Sequence, residues 1–172
     1  MGLKEKYAYR KLHKLVAAQQ RTPVIPNLAL HSKVGVLWQP SEKPAVQYLR
    51  DYFNRKGAIF RDSCIFDSDS NPAAEANSLT VNDLNWWGIP KPEKVSDFIE
   101  MELDLLLCLA AEKNYAVDYI TALSRAKFKI GSSESDNSYF DLNIKLDQNK
   151  DAMFLAEQQI FYLEQLNNRT DS

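Results

Sequence analysis

The histidines, cysteines and glycines of this chain are few, and their spacing excludes most familiar catalytic sites. The two histidines are His13 and His31, and the two cysteines are Cys64 and Cys108. These four residues have no metal-ligand spacing, and no G-x-S-x-G sequence supplies an activated serine. The five glycines lie too far apart for a G-x-G-x-x-G or P-loop phosphate site. We therefore predict no catalytic residue, no metal and no cofactor.

Small polar residues in the loops after predicted strands are the remaining candidates for a binding site. In an open α/β sheet, ligands bind outside the carboxyl ends of the strands. The loop at Gly131, Ser132 and Ser133 offers hydroxyl and backbone N–H groups that suit an anion. An ordinary turn has the same composition, because Ser, Asp, Asn and Gly dominate turns. The candidate ligand-binding residues are Gln39, Ser41, Asp67, Gly131, Ser132 and Ser133.

The adjacent tryptophans Trp86 and Trp87 have two interpretations. Large aromatic side chains stack on ligands, but they more often bury their area in a core or under a long loop. The pair stands beside Ile89 and Pro90, just ahead of a predicted helix. We expect it to hold residues 68–90 against the sheet rather than to bind a ligand.

Apolar periodicity and helix-breaking residues indicate the elements that would position these side chains. Helices are predicted at residues 3–19, 41–56, 92–99, 114–125 and 152–166. Strands are predicted at residues 33–38, 63–66, 103–109, 127–130 and 140–146. Strands separated by helices indicate a parallel sheet that is covered on both faces. The last strand follows its predecessor too closely for a helical crossover, so it is either a hairpin partner or a short edge strand.

The fold class that follows is α/β. We predict a three-layer, Rossmann-like domain with a mostly parallel sheet of about five strands, helices on both faces and an additional N-terminal helix. Cys64 and Cys108 lie in apolar runs, where we expect buried, reduced thiols. The predicted core of adjacent strands consists of Val34, Val36, Ile65, Leu105, Leu107, Phe128 and Ile130.

The charge distribution divides the chain into unequal parts. Residues 1–22 are expected to form a basic N-terminal helix, residues 23–168 a single domain, and residues 169–172 a disordered tail. The first 21 residues carry six lysines and arginines against one acid, whereas the whole chain has a net charge of −2. Such asymmetry marks either contact with an acidic partner or a solvated helix face. Nucleic acid is an unlikely partner for a chain with this overall charge.

The longest apolar run, residues 103–111, is too short to span a bilayer and contains Asp104. An integral membrane protein is therefore not expected. No secretory signal is visible either, because the N-terminus is charged and lacks an apolar stretch. The predicted location is the cytoplasm.

Three segments resemble an uncharacterised Bacteroidota family that carries only a domain-of-unknown-function label: DLNWWG at residues 83–88, LDLLL at 103–107 and LSRAKFKIG at 123–131. The resemblance covers roughly residues 33–167 and implies a fold and a bacterial cytoplasm, but no activity. The last segment is also similar to part of the N-terminal half of heptosyltransferase-like glycosyltransferases. In those enzymes this half contacts the acceptor sugar, and the donor binds mainly to a second domain that does not fit in 172 residues.

Three functions are compatible with the sequence. The first is a non-catalytic α/β domain acting through protein contacts, with either another protein or a second copy of the chain as homo-dimer partner. The alternative is a small-ligand or nucleotide-binding domain, related to half of a glycosyltransferase, with its site at the carboxyl ends of the strands. The third is contact of the basic first helix with a membrane surface or nucleic acid. That helix has a narrow apolar stripe and no Trp or Phe to insert into lipid, which disfavours the membrane.

Overall fold

The computed structural model describes residues 1–28, 30–66, 77–110, 113–135, 138–146 and 151–170. Its helices are α1 (Leu3–Ala17), α2 (Lys43–Arg55), α3 (Pro92–Ile99), α4 (Tyr115–Leu123) and α5 (Ala152–Thr170). Its strands are β1 (Lys33–Trp38), β2 (Ile59–Ile65), β3 (Ser78–Leu79), β4 (Leu105–Cys108), β5 (Phe128–Gly131) and β6 (Leu142–Asn143). Short 3-10 helices occur at Pro40–Glu42 and Val81–Asp83.

The strands form one six-stranded sheet in the order β3-β2-β1-β4-β5-β6. Each neighbouring pair is parallel. Helices α2 and α5 cover one face of the sheet, and α1, α3 and α4 cover the other. The chain therefore places β2 and β3 on one side of β1, and then β4, β5 and β6 on the other side. This confirms the predicted three-layer, Rossmann-like α/β fold.

Strand β4 shows why both faces must be covered. Leu105 and Leu107 point into the core beneath α2 and α5, whereas Leu106 and Cys108 point into the core beneath α1, α3 and α4. All four residues have no exposed surface. Such an unbroken apolar strand is typical of a parallel sheet with helices on both sides.

The predicted core is confirmed. None of its seven members is more than 7% exposed. Cys64 and Cys108 are both free and buried, in agreement with the sequence.

The edges of the sheet differ from the prediction. Strand β2 begins at Ile59 rather than at residue 63, because Arg61 and Asp62 interrupt its apolar pattern although residues 59–62 pair in register with β1. Asp62 accepts hydrogen bonds from the indole N–H of Trp38 at 2.8 Å and from the guanidinium of Arg50 at 2.7 Å. Strand β3 lies in a segment that the apolar pattern does not assign. A short strand with few apolar residues is not detected by a search for hydrophobic periodicity.

Strand β6 is a short edge strand parallel to β5, so the hairpin alternative is wrong. Strand β5 ends at Gly131 and β6 begins at Leu142, so the connection between them is shorter than the dozen or so residues that parallel crossovers need. Gly131 permits this close return. The ring of Phe140 packs directly against its Cα, where the Cβ of any other residue would stand.

Helix α1 is part of the folded layer rather than an appendage. Ala8 and Leu12 are 2% and 0% exposed and belong to the core that α4 shares. After α1, Arg21 forms an ion pair with Asp141 and donates to the carbonyl of Ala126 at 2.8 Å. The chain is thus fixed to β5 and β6 before it enters β1.

At the other end of the chain, α5 continues to Thr170 and includes the first two residues of the expected disordered tail.

The tryptophan rings do not pack against the sheet, so the prediction that they hold this segment there is wrong for the described residues 77–90, while residues 68–76 lie outside the described residues. Trp86 is 77% exposed and Trp87 is 44% exposed. The pair stands in a tight turn in which Asn85 Oδ1 accepts from the backbone N–H of Trp87 at 2.9 Å and Gly88 adopts a φ of 75°. This turn directs both rings outward, and Ile89 is the residue that is buried instead.

Lys129 in β5 is buried, with 2% of its surface exposed. Its Nζ donates to the carbonyls of Thr121 at 2.6 Å and Ala122 at 3.2 Å in the last turn of α4. Those carbonyls have no intrahelical donor, so the ammonium caps the helix. Burial, together with the nearby positive charge of Arg21, lowers the pKa of Lys129 to about 7.

We expect Leu107→Ala to lower the free energy of unfolding by about 2–5 kcal/mol, because it leaves a cavity in a packed centre. Leu15→Ala is the matched control, since Leu15 is 38% exposed on α1. Urea denaturation measures both. An equal, small loss in the two variants would contradict the central position of β4.

We expect the stability of the wild type relative to a Lys129→Met variant to rise between about pH 6 and pH 10. With a folded pKa of about 7 against an ordinary value of 10.5, the folded state binds fewer protons than the unfolded state in this interval. Removing protons therefore favours folding. Urea denaturation across this pH range tests the sign, and the exposed Lys145→Met variant controls for the loss of a surface lysine. A relative stability that falls with pH would contradict a buried, partly neutral Lys129.

Candidate functional site

A cleft of about 930 Å³ opens at the carboxyl ends of β4 and β5. We call it the β4–β5 cleft. Its walls come from α1, from the beginning of α4 and from the residues that follow β4 and β5. This is the edge of the sheet where ligands of open α/β domains bind.

The floor contains residues that follow the two strands. Cys108 and Ala110 come from β4, and Ser132 and Ser133 come from the loop after β5. The loop is fixed by Asn143 of β6, whose Oδ1 accepts from the backbone N–H of Ser133 at 2.8 Å and whose Nδ2 donates to its carbonyl at 2.9 Å. Two of the six predicted site residues, Ser132 and Ser133, therefore line the cleft.

Helix α1 supplies basic side chains that the sequence analysis did not assign to this site. Lys6, Arg10 and His13 all line the cleft. They follow one another at spacings of four and three residues, which place side chains on one face of a helix. That spacing is the signal in the sequence that could have identified them. The spacing alone does not show which part of the domain this helix face contacts, so the sequence could not relate these residues to the cleft.

Lys113 adds a further cation from the segment before α4. Its Nζ forms an ion pair with Glu5 at 2.9 Å, and it lies 4.6 Å from the ring centroid of Tyr9. The beginning of α4 is itself fixed by Asn114, whose Oδ1 accepts from the backbone N–H of Ala116 at 2.9 Å. Local capping thus positions this wall of the cleft.

Tyr9 and Asp118 join α1 to α4 inside the cleft. The Tyr9 hydroxyl donates to Asp118 Oδ2 at 2.5 Å across 109 residues of sequence. Burial raises the pKa of Asp118, and this effect exceeds the opposing influence of the Tyr9 hydrogen bond and of Lys113. Burial and the carboxyl of Asp118 raise the pKa of Tyr9 as well. The pair therefore joins two walls of the cleft.

Gln39 and Ser41 lie elsewhere, at the carboxyl end of β1. Glu42, which is 8% exposed, accepts from the backbone N–H of Gln39 at 2.7 Å, and the Gln39 side chain accepts from the backbone of Glu42 in return. In dinucleotide-binding domains with this strand order, the turn after the first strand holds the phosphates at a helix N-terminus. Here a buried carboxyl occupies that turn. The structure therefore does not bring Gln39 and Ser41 into the β4–β5 cleft, and their role as ligand-binding residues stays a prediction.

The two other predicted residues have different outcomes. Gly131 ends β5 next to the cleft but serves to admit the ring of Phe140, which itself lines the cleft. Asp67 lies outside the described residues.

A family model matches residues 4–166 of the chain, and the description of that family is a family of unknown function. The chain belongs to this family, DUF6913. The matched range includes the segments at 83–88, 103–107 and 123–131 that suggested such a family. No curated protein and no solved structure matches the chain. The Bacteroidota origin, the cytoplasmic location and the likeness to glycosyltransferases stay predictions.

Cys108 is the cysteine in the lining of the cleft, and it is buried. Burial raises the pKa of Cys108, so its thiol stays protonated on the cleft floor. Within the described ranges, no three His, Cys, Asp or Glu side chains come together as metal ligands. The helices of the same ranges include none with both the length and the apolar character to cross a membrane.

We expect Tyr9→Phe to lower the free energy of unfolding by about 1–3 kcal/mol at neutral pH, because it leaves a buried carboxyl without its donor. The Tyr9 hydroxyl lowers the pKa of Asp118, so its contribution is present when the carboxylate is ionised and is lost as pH falls. Urea denaturation at several pH values measures this. The control is Tyr7→Phe, at a tyrosine that is 46% exposed. A deficit of the same size in both variants, or one that grows as pH falls, would contradict the bond.

Proposed function

We propose that this domain binds a small anionic molecule in the β4–β5 cleft. The proposal rests on one observation: basic side chains lie at the edge of the sheet where ligands of open α/β domains bind. The cleft stands at the carboxyl ends of two parallel strands, and α1 directs Lys6, Arg10 and His13 into it. A volume of about 930 Å³ suits a drug-sized or cofactor-sized ligand.

The polar groups of the cleft favour a phosphate or a carboxylate on the ligand. Arg10 presents a planar guanidinium, which binds either group through paired hydrogen bonds. Ser132 and Ser133 also line the cleft, and their hydroxyls can hydrogen-bond to such a group. Two acids, Asp118 and Glu134, also line it. The first of them is hydrogen-bonded to Tyr9, and the lysines and arginine of the lining, Lys6, Arg10 and Lys113, outnumber the two acids.

The apolar groups of the cleft favour a ring or another flat body next to the anionic group. Tyr9, Tyr139 and Phe140 all contribute rings to the lining. Aromatic side chains offer flat apolar surfaces with a polar tip, which suit a sugar or a base. A sugar phosphate or a mononucleotide combines both features. A dinucleotide does not fit the proposal, because Glu42 closes the turn after β1.

Protein contacts remain a second proposal, supported by a different surface. Phe154, Phe161 and Tyr162 on α5 are 41%, 51% and 41% exposed. The rings of Phe161 and Tyr162 lie 5.3 Å apart. Aromatic residues are enriched at the centres of protein interfaces. This surface supports a non-catalytic domain that binds another protein or a second copy of the chain.

Ligand binding is tested by calorimetric titration with three probes: inorganic pyrophosphate, glucose 6-phosphate and adenosine monophosphate. We expect at least one probe to bind the wild type, and its affinity to fall about tenfold or more in Arg10→Gln, as losing a charge-assisted hydrogen bond does. The matched control is Lys14→Gln, which removes one positive charge from α1 outside the cleft lining. Binding by none of the probes, or an equal loss in both variants, would contradict the proposal.

A further inference from the structure

Exposed rings and a lysine gather at the beginning of α1. Leu3 and Tyr7, one helical turn apart, are 87% and 46% exposed. Trp87, at 44% exposed, lies against Tyr7, and Trp86, at 77% exposed, lies against Lys4. Together with Lys4, these residues form what we call the aromatic–basic patch. Large apolar side chains exposed side by side, rather than singly, mark an interaction surface.

Specific contacts hold the patch together. The Tyr7 and Trp87 ring centroids lie 4.5 Å apart, and the Nζ of Lys4 lies 3.8 Å from the centroid of Trp86. These contacts join two segments that are about eighty residues apart in sequence. Because the turn around Asn85 directs the rings outward, their exposure is set by the backbone and not by a loose side chain.

Positive charge continues from the patch along the same side of α1. Tyr7, Lys11 and Lys14 follow one another at spacings of four and three residues, which place them on one helix face. Both lysines are exposed. The acid of this helix, Glu5, is engaged by Lys113 at 2.9 Å. The surface therefore presents aromatic rings at one end and a row of lysines beyond them.

We propose that the aromatic–basic patch docks this domain on an anionic bilayer surface. Tryptophan and tyrosine favour the boundary between lipid and water, where the ring is buried and its polar tip stays wet. Each lysine close to anionic headgroups adds about 1 kcal/mol. The first helix alone lacks the inserting side chains, and the fold supplies them from the Trp86–Trp87 turn.

Two observations favour a bilayer over a second copy or a protein groove. A two-fold symmetric dimer through this surface would bring Lys4 and Lys11 of one copy towards the same lysines of the other, which is repulsive. Side chains as exposed as Leu3 and Trp86 protrude and do not line a pocket. A protein interface needs matching shapes, whereas a fluid bilayer accommodates protruding rings without them.

The test is cosedimentation of the full chain with vesicles of phosphatidylglycerol and phosphatidylcholine at low salt, compared with vesicles of phosphatidylcholine alone. We expect binding only to the anionic vesicles, and a partition coefficient about tenfold lower for Trp86→Ala, which removes one large ring from the contact with the bilayer. Lys4→Gln should also weaken binding, and added salt should weaken it further. Circular dichroism checks that each variant folds.

The matched control is Phe161→Ala, which removes an exposed ring from α5, far from the patch in the sequence. This variant should bind vesicles as the wild type does. The proposal is wrong if the wild type does not bind anionic vesicles at low salt, or if Phe161→Ala weakens binding as much as Trp86→Ala. It is also wrong if vesicle binding is absent while Trp86→Ala abolishes self-association or binding to an acidic protein.

Discussion

The architecture depends on keeping β4 away from water on both of its faces. Leu105 and Leu107 require cover from α2 and α5, and Leu106 and Cys108 require it from the opposite layer. On that opposite side α1 is part of the cover, since Leu12 is completely buried there. One face of the N-terminal helix is consequently packed into the core. Its position above the carboxyl ends of β4 and β5 follows from that burial, and with it the basic lining of the cleft.

The cleft therefore depends on packing together with two polar anchors, one in the middle of α1 and one beyond its end. In the middle of the helix, the Tyr9 hydroxyl donates to Asp118 at 2.5 Å. Beyond its end, the Arg21 guanidinium pairs with Asp141. Each anchor joins α1 or its extension to elements more than a hundred residues away, and both partners of each are at least partly buried. Anchors of this kind, on a buried apolar base, keep a cleft preformed rather than assembled by its ligand.

The sequence predicted what local patterns determine and missed what distant contacts determine. Strand β4 and the core were predictable because their apolar residues are continuous. Ser132 and Ser133 were predictable because carboxyl ends of parallel strands share an edge. The parallel direction of β6 was not, since it depends on Phe140 packing against Gly131. The contribution of α1 to the cleft was not predictable either, because hydrophobic periodicity places a helix but does not choose the neighbour it covers.

The strand order alone would suggest a different binding site from the one proposed here. In dinucleotide-binding domains of this order, glycines let a phosphate approach the turn after β1. This chain places Glu42 there, buried and hydrogen-bonded to the backbone of Gln39, so an anion would meet a carboxyl instead of free N–H groups. The cations lie one strand further along, on α1. Under the proposed function, a helix face would supply the positive charge that a glycine-rich turn and its helix N-terminus supply in dinucleotide-binding domains.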